Sequence, residues 1–136
     1  DVAGLDDALA RVPEELRPLV RHVVTENERV LRSVELLREG RLAELGPLLD
    51  ASHASLRDDY RVSAPELDVA VEAAKGAGAL GARMVGGGFG GSAIALVPVE
   101  RHDEVVRGVL GAFAGRGWVT PRTFTAVPSA GAGRDR

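Results

Sequence analysis

The chain has 136 residues, a net charge of −3 and no cysteine. That excludes disulfides and thiolate metal sites and argues against nonspecific nucleic-acid binding. An apolar share of 45% and a charged share of 27% suit one globular domain over residues 1–136. No apolar run nears the ~18 residues of a membrane span and no leader is visible, so no membrane partner is expected.

Residues 1–14 read as weakly helical, broken by Pro13. A strong helix is predicted from about Glu15 to Glu39, with Pro18 tolerated in its first turn and Gly40 as its stop. Leu19, Val20, Val23, Val24, Val30, Leu31, Val34 and Leu37 fall on one broad face of it. A second helix, about Leu42 to Arg57, would turn Leu42, Leu45, Leu48, Leu49 and Leu56 inward, with Gly46-Pro47 offsetting its first turn. Ser63-Ala64-Pro65-Glu66 has capping-box spacing and should open a third helix that ends near Gly76 or Gly78. Two short apolar strands then flank a glycine run. An amphipathic helix follows from about 101 to 115. Arg122 to Val127 reads as a last strand, and Ser129 to Arg136 as a frayed tail.

The glycine run, Gly86-Gly87-Gly88-Phe89-Gly90-Gly91, carries one side chain in six positions. Glycine costs about 0.5–1 kcal/mol relative to alanine in regular structure, so the run needs a reason. Either the backbone turns through positive φ, or bare N–H groups approach an anion such as phosphate. Gly86, Gly88 and Gly91 satisfy G-x-G-x-x-G, but Ser92-Ala93-Ile94-Ala95-Leu96-Val97 reads as a strand where a dinucleotide site needs a helix. No Lys-Ser/Thr pair makes it a Walker loop. A plain hairpin and a phosphate-facing loop both remain open on this pattern.

Among polar candidates, His53, Asp58 and Asp59 do not share one helix face, which favours a solvated surface over a metal or acid/base cluster. His22 and His102 are expected at the surface. Arg57 and Arg83 are better placed: Arg83 either points toward a phosphate or, by preference, bridges to Asp58 or Asp59. Phe89 is expected to pack against protein and fix the loop, with Met84 and Trp118 in the core.

Three stretches carry a resemblance. Gly81-Ala82-Arg83-Met84-Val85-Gly86-Gly87-Gly88-Phe89-Gly90-Gly91-Ser92 resembles the third motif of the GHMP small-molecule kinases in its galactokinase form. The run Ser52 to Asp68, containing Ser55-Leu56-Arg57-Asp58-Asp59-Tyr60, is similar to a second galactokinase stretch, and His22-Val23-Val24-Thr25-Glu26-Asn27 to a third. Val85 stands where threonine is usual, and Ser92 and Ala64 where cysteine is usual.

The resemblance implies an α+β fold: a helical N-terminal half, then a ferredoxin-like antiparallel sheet with helices on one face, the GHMP kinase C-terminal domain. The second half of the element order agrees with the end of a β-α-β-β-α-β unit. It implies ATP and Mg²⁺ as cofactors, galactose as substrate and a cytoplasmic enzyme. Gly86, Gly87, Gly88, Gly90 and Gly91 would face the ATP phosphates, supported by Arg83, Phe89 and Ser92. The family's Gly-Glu-His-x-Asp-Tyr signature, serine-rich phosphate loop and catalytic aspartate have no counterpart here. The chain is therefore expected to be a C-terminal half without catalytic or metal-binding residues. Its partner would be the N-terminal half, and a second copy could cover the exposed face of an isolated chain. The competing reading is a non-catalytic ferredoxin-like module that binds a ligand or a partner.

Overall fold

The computed structural model describes residues 4–131 and 133. Among the described residues are five α-helices and one two-stranded sheet: α1 (Leu5–Ala10), α2 (Arg17–Arg38), α3 (Leu45–Asp58), α4 (Pro65–Gly76), β1 (Gly81–Val85), β2 (Ser92–Leu96) and α5 (His102–Ala114). Short 3₁₀ turns precede α2, α3 and α5. Of the frayed tail, residues 132 and 134–136 lie outside the described residues; residues 129–131 are exposed and without regular structure.

The helix limits follow local chemistry. Pro18 sits in the first turn of α2, where its missing N–H has no intrahelical acceptor to lose. Gly40, at φ 72°, turns the chain out of α2 while Arg41 N–H returns to Leu36 O at 2.9 Å. The expected capping box is not formed. Pro65 is the first residue of α4, so the extended Ala64 takes the cap position and Ser63 falls one residue too early. The Ser63 hydroxyl donates instead to Asp68 Oδ1 at 2.6 Å.

β1 and β2 pair antiparallel, from Gly81 with Leu96 to Val85 with Ser92. Two small apolar clusters pack on this hairpin. Val71, Ala74, Ala82 and Val105 join α4, β1 and α5, while Leu56, Leu67 and Met84 join α3, α4 and β1. Met84 is fully buried, as expected, and Trp118 packs edge-on against Phe113. Close approach of α3 to the sheet requires two glycines: a Cβ on Gly46 would strike the Leu80 carbonyl, and one on Gly81 the Gly46 backbone.

Helical first half and antiparallel sheet agree with the predicted α+β class. Arg122 to Val127, however, forms no strand; Phe124 and Val127 are exposed. Its alternation is strand-like, but a strand needs an edge to bond and a face to bury, and this run has neither among the described residues. The residues of β2 are likewise exposed except Leu96, which is half-buried.

α2 buries a largely polar line rather than its broad apolar face. Its buried line runs through His22, Leu36 and the half-buried Glu26, Arg29 and Ser33, facing α3. The apolar stripe lies about a quarter turn round the helix and is open to solvent, Val23 at 61% and Leu37 at 55%. Leu42, in the 3₁₀ turn before α3, likewise lies outward, and on α3 Ser52, His53 and Ser55 lie in. Helical spacing located the stripe but could not say what covers it.

Candidate functional site

The glycine run joins the last pair of the hairpin, Val85 with Ser92, as a strand–loop–strand connection. No helix starts there, which removes the dinucleotide geometry. Gly86, Gly88, Gly90 and Gly91 take φ of 90°, 85°, 124° and 95°, and Phe89 joins them at 61°. Five left-handed residues in six explain most of the glycines by conformation. Gly87 has no such need, and the space beside Gly86, Gly87, Gly90 and Gly91 is empty to 4 Å from where a Cβ would stand. Bare backbone with open space above it is what an anion needs to reach N–H groups.

Phe89 corrects the sequence reading. Its side chain is 79% exposed and anchors nothing. The anchor is its backbone: Phe89 N–H donates to Val62 O at 2.7 Å, and a Cβ on Gly88 would collide with that same carbonyl. Arg61 (φ 60°) and Phe89 are the non-glycine residues with left-handed backbone among the described ones, and they flank this bond. Such residues cost about 1–3 kcal/mol each and persist only where surroundings fix them.

β1, which feeds the loop, is held by side chains from α3. Ala82 N–H donates to Asp50 Oδ1 at 3.0 Å and Met84 N–H to His53 Nδ1 at 3.2 Å. Asp50 and His53, three residues apart on one helix face, thus take alternate N–H groups of the strand. Lys75 Nζ lies 3.2 Å from the other Asp50 oxygen. His53 is 2% exposed, which corrects the solvated-face reading. Burial, aided by the nearby Arg57, pushes its pKa down against the pull of Asp68. Since Nδ1 accepts, the neutral ring carries its proton on Nε2, 3.1 Å from Asp68 Oδ1. That contact is bent, with no oxygen in line with the N–H.

A second polar cluster lies between α2, α3 and β1. Arg83 donates to Glu26 Oε1 at 3.0 Å and to its neighbour's carbonyl, Met84 O, at 2.9 Å. Ser52 reaches the same Glu26 oxygen at 2.6 Å, and Arg29 the other at 2.8 Å. Burial alone would raise the Glu26 carboxyl; Ser52, Arg29 and Arg83 outweigh it and hold the pKa below the usual range. The structural role expected for Arg83 is therefore seen, with Glu26 as partner rather than Asp58 or Asp59. Those two pair with Arg57 and Arg21. With Glu26, Arg29, Val30, Val34, Leu48 and others, Arg83 lines a cleft of about 160 Å³.

His22 is also buried, against the sequence reading; its Nδ1 lies 2.9 Å from Ser55 Oγ and its ring stacks on Tyr60. His102 is at the surface. Ser92, at the loop's exit, is exposed. The predicted glycines and Ser92 therefore sit together on one loop, while Arg83 faces away into the α2–α3 seam. Sequence reasoning gave no role to Glu26, Asp50, Ser52 and Asp68, and it read His53 as part of a solvated surface. The available signal was that serines and a histidine occupy the inward positions of α3.

Comparison with known proteins matches residues 33–115 to the family described as GHMP kinases C terminal. A galactokinase of Streptomyces coelicolor is 58% identical over 134 residues, covering 97% of this chain and 35% of its own length. One from Chloroflexus aggregans is 50% identical over 124 residues, with 90% and 31% covered. The crystal structure of Lactococcus lactis galactokinase complexed with galactose superposes with a TM-score of 0.73 at 44% identity, over 79% of this chain and 28% of that one. The chain spans about a third of the length of these curated relatives.

Proposed function

The chain belongs to the GHMP kinases, and from that premise we infer that it is the C-terminal portion of a galactokinase, contributing one wall of the ATP site. The full enzyme would transfer the γ-phosphoryl group of ATP to galactose. The observation that carries this reading is the glycine loop, whose left-handed backbone leaves open space beside four of its glycines.

ATP with Mg²⁺ supplies the phosphoryl group and neutralises its charge; the protein's part is positioning and electrostatic stabilisation. The loop fits the phosphate end of that ligand. Gly86, Gly87, Gly88, Gly90 and Gly91 present backbone without side chains, and each N–H that reaches a phosphate oxygen adds about 1.5–3 kcal/mol. Ser92 offers a hydroxyl at the loop's exit. Arg83 supports the loop from behind through Glu26, and Phe89 supports it through its backbone. The carboxylates in the network behind this loop, Glu26, Asp50 and Asp68, are all engaged by cations, a hydroxyl or His53. Ligands for Mg²⁺ and the base that activates the sugar hydroxyl therefore come from the remaining two thirds of a galactokinase-length polypeptide.

That polypeptide is also the partner that best suits the outward stripe of α2. The test is galactose-dependent ADP formation by the full-length protein, followed by Gly87→Val. Gly87 has ordinary φ and open space around it, so valine should leave the fold intact while blocking the phosphates. Turnover is expected to fall at least a hundredfold with little change in melting temperature. A full-length protein without galactose-dependent turnover, or a Gly87→Val enzyme as active as its parent, would overturn the reading.

A further inference from the structure

The glycine loop is closed by a ring of polar contacts that passes through one buried histidine. Met84, two residues before the loop, gives its N–H to His53 Nδ1 at 3.2 Å. His53 Nε2 faces Asp68 Oδ1 at 3.1 Å, and the same oxygen accepts the Ser63 hydroxyl at 2.6 Å. Ser63 follows Val62, whose carbonyl takes Phe89 N–H at 2.7 Å. The circuit returns to Met84 through residues 85–88. Two of its members are held from elsewhere: Val62 N–H bonds to Leu56 O, and Met84 is buried among Leu56 and Leu67.

We propose that His53 is a positioning residue for the glycine loop. Its neutral imidazole ties the strand entering the loop to the turn that receives the loop's tip. In doing so it sets where the N–H groups of Gly86, Gly87 and Gly88 point. His53 is 2% exposed, so it acts through the strand rather than by contact with a ligand. The ring nitrogens have unlike surroundings. Nδ1 accepts from Met84, which places the proton of the neutral ring on Nε2. Nε2 lies 3.1 Å from Asp68 Oδ1 in a bent contact rather than an aligned hydrogen bond. The capping reading of Ser63 fails for a related reason: its hydroxyl serves Asp68, within this ring. His53 makes one hydrogen bond, from Met84 N–H, and its other nitrogen stands against Asp68, so the ring lies between the two ends of a strained loop. The argument rests on reading that loop as the phosphate-facing element.

The two nitrogens can be separated in the full-length protein. His53→Asn keeps an acceptor near the place of Nδ1 and loses the reach to Asp68. His53→Gln reaches Asp68 and loses the acceptor for Met84. Amide hydrogen exchange over residues 85–91 is expected to quicken about tenfold in His53→Gln, the effect of one lost buried hydrogen bond. The KM for ATP should rise about as much with the KM for galactose unchanged, and His53→Asn should restore much of both. Unchanged exchange over 85–91 in a folded His53→Gln, identical behaviour of the two variants, or equal rises in both KM values would overturn the proposal. Should neither variant fold, Ser63→Ala cuts the same ring from a half-buried site. It should quicken exchange over 85–91 severalfold, and no change there would overturn the proposal equally. If the parent protein shows no galactose-dependent turnover, the kinase reading falls alone, because the exchange measurement still decides the role of His53.

Discussion

At the residue scale, α2 and α3 carry buried polar side chains into the interior. His22, Ser52, His53 and Ser55 are all buried, and each has a hydroxyl, carboxylate or backbone partner. The two histidines make the fold sensitive to acid. Burial lowers both pKa values from about 6.5. The unfolded chain therefore takes up protons first as pH falls below that value, and stability present at neutral pH is lost on the way down through the folded values. His22 is surrounded by Glu26 and Asp59, which oppose its shift, and by Arg29 and Arg83, which add to it. His53 faces Asp68 and Glu72 on one side and Arg57 on the other. The urea midpoint should fall between about pH 7.5 and pH 5.5, above the range where Glu26 contributes. His53→Asn should flatten that slope, and an equal slope in the variant would show that His53 is not one of the responsible groups.

At the scale of elements, the contact of α3 with the sheet depends on the absence of a side chain. Gly46 lies inside a helix, so alanine should gain about 1 kcal/mol by propensity alone. The Cβ would strike the Leu80 carbonyl, and backbone of β1 cannot swing aside as a side-chain tip can. Overpacking of this kind costs about 1–3 kcal/mol or more and outweighs the gain. Gly46→Ala should therefore destabilise the protein, read as a lower melting temperature. Gly76→Ala, at the end of α4 with nothing within 4 Å, is the control and should be neutral or slightly stabilising. Equal effects of the two would mean that α3 and β1 are not in close contact.

At the scale of the whole molecule, the apolar stripe on α2 is the feature that a lone domain does not explain. Leu19, Val23, Val30, Val34 and Leu37 lie along it, all exposed. Inter-domain contacts cover about 600–1,500 Å², and an uncovered face of that kind promotes association. Residues 1–136 expressed alone should fold, show no galactose phosphorylation, and self-associate with rising concentration. Val23→Glu with Val30→Glu should abolish that association while leaving the fold intact, since both side chains already face water. A strictly monomeric sedimentation profile at high concentration would remove the interface. Turnover by this chain alone would remove the half-site reading.

What the sequence determined by itself was local or carried by resemblance. Helical spacing located α2, α3, α4 and α5 to within a few residues, because periodicity and Gly or Pro punctuation act over one or two turns. The glycine run marked its own loop, and the motif around it identified the family before any fold was known. Tertiary structure decided which faces are inside. Periodicity gives a stripe its direction on a helix but not the neighbour that meets it. The sequence shows one broad apolar face on α2, and only the packing decides that most of it faces solvent. Polar burial was illegible for the same reason: His53 looks like a surface residue until Met84, thirty-one positions away, brings an N–H to its ring. The run 122–127 has a strand's alternation, yet a strand exists only where another edge accepts its hydrogen bonds. The glycine loop was named by its residues, but its shape is held from outside by Val62, His53 and Glu26, all distant in sequence and brought to it by the packing of α2, α3 and α4.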